Sequence, residues 1–258
     1  ASNSVSVALG MARARTLRHQ DYSVLALIGD GALTGGLAYE GLNNAGASGE
    51  PLIVILNDNG MSINPNVGAV PTHLGRLRTK PAYYHFKKWY RGLFGAHPME
   101  NGLYRLNHRL KSSLKKALWP GSTLFEDMGF TYLGPIDGHD LDRLVHVLEW
   151  AKELRGPVLV HVNTVKGKGY PFAEQNPDRF HGISPFDPET GLLKKPGGED
   201  FSSVFGKTLS ACAAEDKRVC AITAAMADGT GLSGFAKEFP DRFFDVGIAE
   251  GHAVAMAG

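Results

Sequence analysis

Cysteine is scarce in this sequence. Only two occur in 258 residues, Cys212 in an apolar helix-like stretch and Cys220 in a strand-like one, with neither metal-ligand nor redox spacing between them. A thiol-based motif is thereby excluded, a reduced intracellular setting fits, and both thiols are expected to be buried as small apolar side chains. An excess of charge is missing too: 27 basic residues face 26 acidic ones, for a net charge of +1. That balance excludes the footprint of a nucleic-acid or membrane-surface protein and favours small-molecule chemistry. No apolar run approaches the roughly 20 residues of a membrane-spanning helix, and the first residues lack the basic and apolar regions of a secretory leader. There is no solenoid repeat and no low-complexity tract. The sequence opens at Ala1 and stops at Gly258 inside a helix-like run, so a piece of a longer soluble protein is expected.

What is present is an α/β pattern. Residues 22–28 form a short apolar run ending at Gly29-Asp30-Gly31; Leu33, Leu37, Tyr39 and Leu42 come next at roughly helical spacing, and residues 51–56 form a second apolar run. Apolar runs without polar alternation imply strands covered on both faces, hence a parallel sheet in a doubly wound layer with helices on both sides. A helix-like segment over 141–154, the turn Arg155-Gly156-Pro157 and a strand over 158–162 repeat the theme. Between them, Arg105, Arg109, Lys111, Lys115 and Lys116 alternate with leucines at helical spacing and read as a solvated helix face. Residues 171–198, rich in proline and glycine, read as an extended crossing or linker. A helix over 201–214 and strands over 219–223 and 243–248 then begin a second α/β unit. The resulting division is 1–193, a linker over 194–200, and 201–258 as the start of a second domain.

Gly29-Asp30-Gly31 lies at the carboxyl end of a strand, where open α/β sheets bind ligands and free backbone donors meet anions. The second strand ends in Asn57-Asp58-Asn59, so adjacent strands deliver Asp30 and an Asn/Asp group to one edge. Magnesium takes oxygen ligands in near-octahedral array and completes them with phosphate and water, so an aspartate, an amide and a carbonyl there suit a metal-diphosphate anchor. The competing interpretation is that Asp30 caps the next helix and the asparagines satisfy a turn.

The runs GDGALTGGLAYEGLNNAG and LNDNGMSINPNVGAV resemble the thiamine diphosphate motif of the 1-deoxy-D-xylulose-5-phosphate synthases, a transketolase-like family. GPIDGHD at 134–140, KGKGYPFAE at 166–174, FHGISPFDPETG at 180–191, AAMADGTGL at 224–232 and FPDRFFDVGIAEGHAV at 239–254 occur in that family's order. Only a variable stretch near 74–120 aligns poorly. The resemblance implies a thiamine diphosphate-binding fold, with 1–193 as a diphosphate-binding domain lacking its N-terminal part and 201–258 as the start of a pyrimidine-binding domain. It implies magnesium held by the side chains of Asp30 and Asn59 and the carbonyl of Met61, with Gly29, Gly31 and Ala32 against the diphosphate. Ser2 and Ser4 resemble serines near the cofactor, Lys166 a lysine beside the diphosphate, and His181 an active-site histidine able to shuttle a proton. Asp137 and His139 read as turn residues.

Glu250 resembles the glutamate that hydrogen-bonds a pyrimidine nitrogen of the cofactor and so activates it. Its place between a strand and the apolar run Ala253 to Ala257 leads us to expect a partly desolvated carboxylate; without the resemblance it reads as a helix N-terminal acid. Gly60 and Gly251 stand where many members have glutamate, or glutamine or glutamate, and Ala227 where others have arginine or proline. The implied reaction decarboxylates pyruvate and ligates the two-carbon unit to D-glyceraldehyde 3-phosphate, giving 1-deoxy-D-xylulose 5-phosphate for isoprenoid, thiamine and pyridoxal synthesis. The implied setting is a homodimer in the bacterial cytoplasm, or the plastid stroma in a plant. A transketolase-type two-carbon transferase and a non-catalytic fragment remain open alternatives.

Overall fold

The computed structural model describes residues 2–61, 67–78, 123–194 and 198–258. Four parallel strands, β1 (Leu25–Gly29), β2 (Ile53–Asp58), β3 (Thr131–Asp137) and β4 (Val158–Asn163), form a sheet in the order β1-β2-β4-β3. Register runs Leu25 to Ile53 and Ile53 to Val158, so the carboxyl ends of β1, β2 and β4 share one edge. Helices α1 (Ser4–Leu17) and α2 (Gly36–Ser48) cover one face. There Val5, Leu42, Val54, Leu56 and Leu159 join one buried cluster, each worth about 1.5–3 kcal/mol when withdrawn from water. Helix α3 (Ala69–Arg78) adds Leu74 and Leu77 to it. A short α4 (Leu124–Asp127), held by a Thr123–Glu126 capping box, adds Phe125.

The alternate side chains of β2 and β4, Ile53, Val158, Val160 and Val162, point the other way and pack with Leu144, Val147 and Leu148 of α5 (Leu141–Glu153). Helices therefore lie on both faces, as the unalternating apolar runs predict. At β1 this cover stops: Leu25 is 46% and Leu27 64% exposed, so among the described residues its second face is open.

Strand β3 has no counterpart in the sequence-based expectation. Gly134-Pro135 interrupts it, and its pairing with β4 shifts register between Leu133 and Ile136, which hides the period from the sequence. Residues 171–194 are also more than a crossing. They contain α6 (Pro171–Gln175) and an antiparallel bridge between Phe186 and Leu193. Tyr170, Phe180 and Phe186 pack together through tilted and edge-to-face ring contacts, with centroids 5.2–6.0 Å apart. The basic helix expected near 105–116, and part of the variable stretch, lie outside the described residues.

The second unit comprises α7 (Phe201–Glu215), β5 (Ala221–Thr223), α8 (Ser233–Glu238), β6 (Phe243–Asp245) and α9 (Glu250–Ala257), with β5 and β6 paired in parallel. Both observed strands are shorter than expected. Its core is small, built from Ala213, Ala221, Leu232 and Phe235. Cys212 and Cys220 are both exposed, contrary to the burial expected of them, because the described chain packs nothing over Cys212 on α7 or over Cys220 just ahead of β5.

Candidate functional site

The Asp30 and Asn59 loops meet at the shared carboxyl edge. The Asp30 amide donates to the Asn57 carbonyl (3.1 Å), continuing the ladder one residue past β1. The Asp30 side chain, 2% exposed, accepts from the Gly60 amide at 2.7 Å. Gly60 has φ +78°, a conformation open to glycine and strained for a side chain. Asn59 folds over its own turn, its Oδ1 accepting from the Met61 amide at 3.0 Å. The capping interpretation of Asp30 fails: a 3₁₀ turn at Ala32–Thr34 precedes α2, its N-cap is Gly31, and no side chain caps it.

Two hydroxyls shape that turn. Thr34 Oγ1 donates to the Gly31 carbonyl and Ser2 Oγ to the Ala32 carbonyl, each at 2.7 Å. Gly35 must be glycine here, since a Cβ would overlap the Ser2 side chain. Ser2 thus reaches the 31–34 turn. Ser4 opens α1 instead, and it is not among the residues lining the adjoining cleft. That cleft, about 810 Å³, is lined by Ser2, Thr34 and Gly35 on one side and by Asp245, Glu250 and His252 on the other.

Lys166 lies beyond β4 on a turn fixed from below, where His139 Nε2 accepts from the Val165 amide at 2.9 Å. Burial lowers the Lys166 pKa from its ordinary value, while the carboxylates of Asp178 and Asp30 pull it back up. Lys166 is therefore within electrostatic reach of Asp30. His181, exposed overall and with its amide bonded to the Asp178 carbonyl at 3.2 Å, has its pKa lowered first by partial desolvation of the ring and second by the Lys166 cation. Lys166 thus has both Asp30 and His181 within electrostatic reach.

These shifts fix the sign of a pH dependence. The folded chain holds the His181 imidazole below its ordinary value, so protonation opposes folding, and acidification through that range costs stability. Lys166→Ala removes one of the two causes, so the His181 pKa should rise toward the ordinary value while burial keeps it below. Titration of the His181 ring proton by NMR reads this directly, and an unmoved pKa would refute the proximity.

Glu250 starts α9 and faces the cleft, yet it is exposed. The expected desolvation is therefore not observed: its apolar neighbours Val254 and Met256 are themselves 76% and 47% exposed. Asp245 is a residue that sequence reasoning passed over. Its Oδ1 accepts from the amides of Ala225 and Gly247, both at 2.9 Å, and so shapes the turn ahead of Glu250. An aspartate two residues before a glycine at a strand end was the available signal.

The donor set suits a hard cation. Asp30 offers one buried carboxylate beside the neutral oxygens of Asn59 and Met61, and among the described residues no group of three or more His, Cys, Asp or Glu side chains converges as a softer metal would need. The small residues of the Gly29–Ala32 turn and the nearby Lys166 suit a diphosphate.

Comparisons with known proteins bear on the same segments. The family described as 1-deoxy-D-xylulose-5-phosphate synthase matches residues 1–164, and the family described as transketolase, pyrimidine binding domain, matches 199–258. The chain is 52% identical, over 99% of its length, to the 1-deoxy-D-xylulose-5-phosphate synthase of Caldanaerobacter subterraneus subsp. tengcongensis, covering 41% of that protein. It is 54% identical to that of Symbiobacterium thermophilum, over 100% of this chain and 40% of the relative. It is 55% identical to that of Pelotomaculum thermopropionicum, over 99% and 40%. Among solved structures, a transketolase from Campylobacter jejuni is similar over 69% of this chain and 21% of its own, at 23% identity and a TM-score of 0.42. The chain spans about two fifths of the length of the curated relatives it matches.

Proposed function

Because the chain belongs to the 1-deoxy-D-xylulose-5-phosphate synthase family, we propose that it carries the diphosphate half, and the opening of the pyrimidine half, of a thiamine diphosphate and magnesium site. Residues 1–193 form the diphosphate-binding part, 194–200 the linker and 201–258 the start of the pyrimidine-binding part. The whole protein joins the two-carbon unit of pyruvate, after decarboxylation, to D-glyceraldehyde 3-phosphate, as a homodimer in the bacterial cytoplasm. No described helix is long and apolar enough to cross a membrane.

The observation that carries this reading is the 2.7 Å bond from the Gly60 amide to Asp30, which ties the two strand-end loops into one oxygen-lined edge. Asp30, Asn59 and the Met61 carbonyl hold magnesium there, and Gly29, Gly31 and Ala32 let the backbone approach the diphosphate. Ser2 braces that turn through the Ala32 carbonyl, and Ser4 stands behind it at the start of α1. Lys166 offers its cation to the phosphates. His181, its pKa lowered, stays neutral near neutral pH and can accept a proton from a substrate hydroxyl. Glu250, on the far side of the cleft, would hydrogen-bond the pyrimidine of a bound cofactor. Thiamine diphosphate, when bound, supplies the carbanion chemistry, and the protein supplies orientation and electrostatics.

Turnover by the full-length protein tests the reading. Pyruvate with D-glyceraldehyde 3-phosphate should give the deoxyketose phosphate and carbon dioxide. Reaction with ketose donors alone would replace the synthase with a transketolase-type transferase.

A further inference from the structure

Beneath the carboxyl edge of β2 lies a row of buried polar groups that none of the proposed binding roles uses. Asp58 is 1% exposed, His161 0% and Tyr132 6%. His161 Nε2 lies 2.8 Å from Asp58 Oδ2, and the Tyr132 hydroxyl 2.7 Å from His161 Nδ1. With the imidazole neutral, Nε2 donates to the ionised carboxylate, which only accepts, and Nδ1 is left to accept from the phenol. The row therefore has one direction: Tyr132 donates to His161, and His161 to Asp58. At its upper end, Asp58 Oδ1 accepts from the Gly60 amide at 3.2 Å, the same amide that donates to Asp30 at 2.7 Å.

The row is also held rigidly. Tyr132 stacks flat on Phe125, with an interplanar angle of 1°. Gly134 lies so close that a Cβ there would come within 2.5 Å of the His161 carbonyl oxygen. Buried charged networks of this kind contribute little net stability compared with an apolar replacement of the same shape, whereas partners behind a metal site orient its ligands.

We propose that Asp58, His161 and Tyr132 are positioning residues that fix the Asn59-Gly60-Met61 turn in the geometry required by magnesium and diphosphate. The inference rests on assigning Asp30, Asn59 and Met61 to the metal. The turn is otherwise held by the bond from the Gly60 amide to Asp30 and by that from the Met61 amide to the Asn59 side chain. The relay instead runs from β2 through β4 to β3, so that three strands of one sheet act on one amide.

The test uses the full-length protein with magnesium chloride titrated calorimetrically at saturating thiamine diphosphate. His161→Leu should weaken magnesium binding about tenfold, the usual scale for losing a partner behind a metal site. The KM for pyruvate at saturating metal should stay unchanged. His161→Gln, whose amide can still donate to Asp58, should recover affinity to within about threefold of wild type. Unchanged magnesium affinity in a folded His161→Leu protein overturns the inference. Should that variant fail to fold, Tyr132→Phe decides: it keeps the ring stack, should weaken magnesium about two- to threefold, and overturns the inference if it does not. Asp30→Ala, measured alongside, separates the two levels. If it too leaves affinity unchanged, the metal assignment itself has failed; if it alone weakens binding, only the relay has.

Discussion

Replacing Asp30 with alanine is expected to abolish magnesium-dependent binding of thiamine diphosphate by the full-length enzyme, lowering affinity at least about 100-fold. Loss of one charged partner at a buried site costs about 3 kcal/mol or more, and about 1.4 kcal/mol is a factor of ten. The loop contributes to that loss as well as the ligand, because Asp30 also receives the Gly60 amide, and an orphaned buried donor costs about 1–3 kcal/mol. Asp30→Asn separates the two: it keeps the volume and an acceptor for Gly60 but lacks the charge. If the charge matters, Asn binds magnesium nearly as poorly as Ala while melting, metal-free, close to wild type. Calorimetry and thermal unfolding decide it, and wild-type magnesium affinity in Asp30→Asn would remove Asp30 from the metal site.

The meeting of the two strand ends was legible because its signal is local. β1, β2 and β4 are apolar on alternate and intervening positions alike, so they declare a sheet covered on both faces, and the loops leaving parallel strands must lie on one edge. Asp30 and Asn59 inherit their meeting from that topology. Strand β3 was not legible, since Gly134-Pro135 breaks the run and shifts the register. Nor was the Asp58–His161 contact, between residues 103 positions apart that no periodicity relates.

The errors share a cause. Burial was expected of Cys212, of Glu250 and of both faces of β1, and each was inferred from apolar neighbours in the sequence. Some of those neighbours are open to solvent among the described residues: Phe201 is 97% exposed and Leu27 64%. Local apolarity specifies a face that needs a partner, and burial results only where the described chain supplies one.

That distinction sharpens what Glu250 can be asked to do. Its carboxylate is exposed at the mouth of the cleft and starts an eight-residue helix, so Glu250→Ala should leave the fold and the distant Asp30 edge intact. In the full-length enzyme, magnesium and cofactor affinities should stay within about threefold of wild type. Turnover should fall about 1,000-fold, within the range assigned to a positioned proton-transfer group. Glu250→Gln tests whether the charge carries the effect. It retains the length of the side chain and an acceptor, but it cannot hold a proton shared with a ring nitrogen, so its turnover should fall nearly as far as that of alanine. The split between binding and kcat is the discriminating result: a helix-capping glutamate would move neither strongly, and a diphosphate ligand would move both. Retained turnover in Glu250→Ala, with the cofactor bound, would leave activation to another group across the cleft, of which His252, two residues on and lining the same space, is the first to replace.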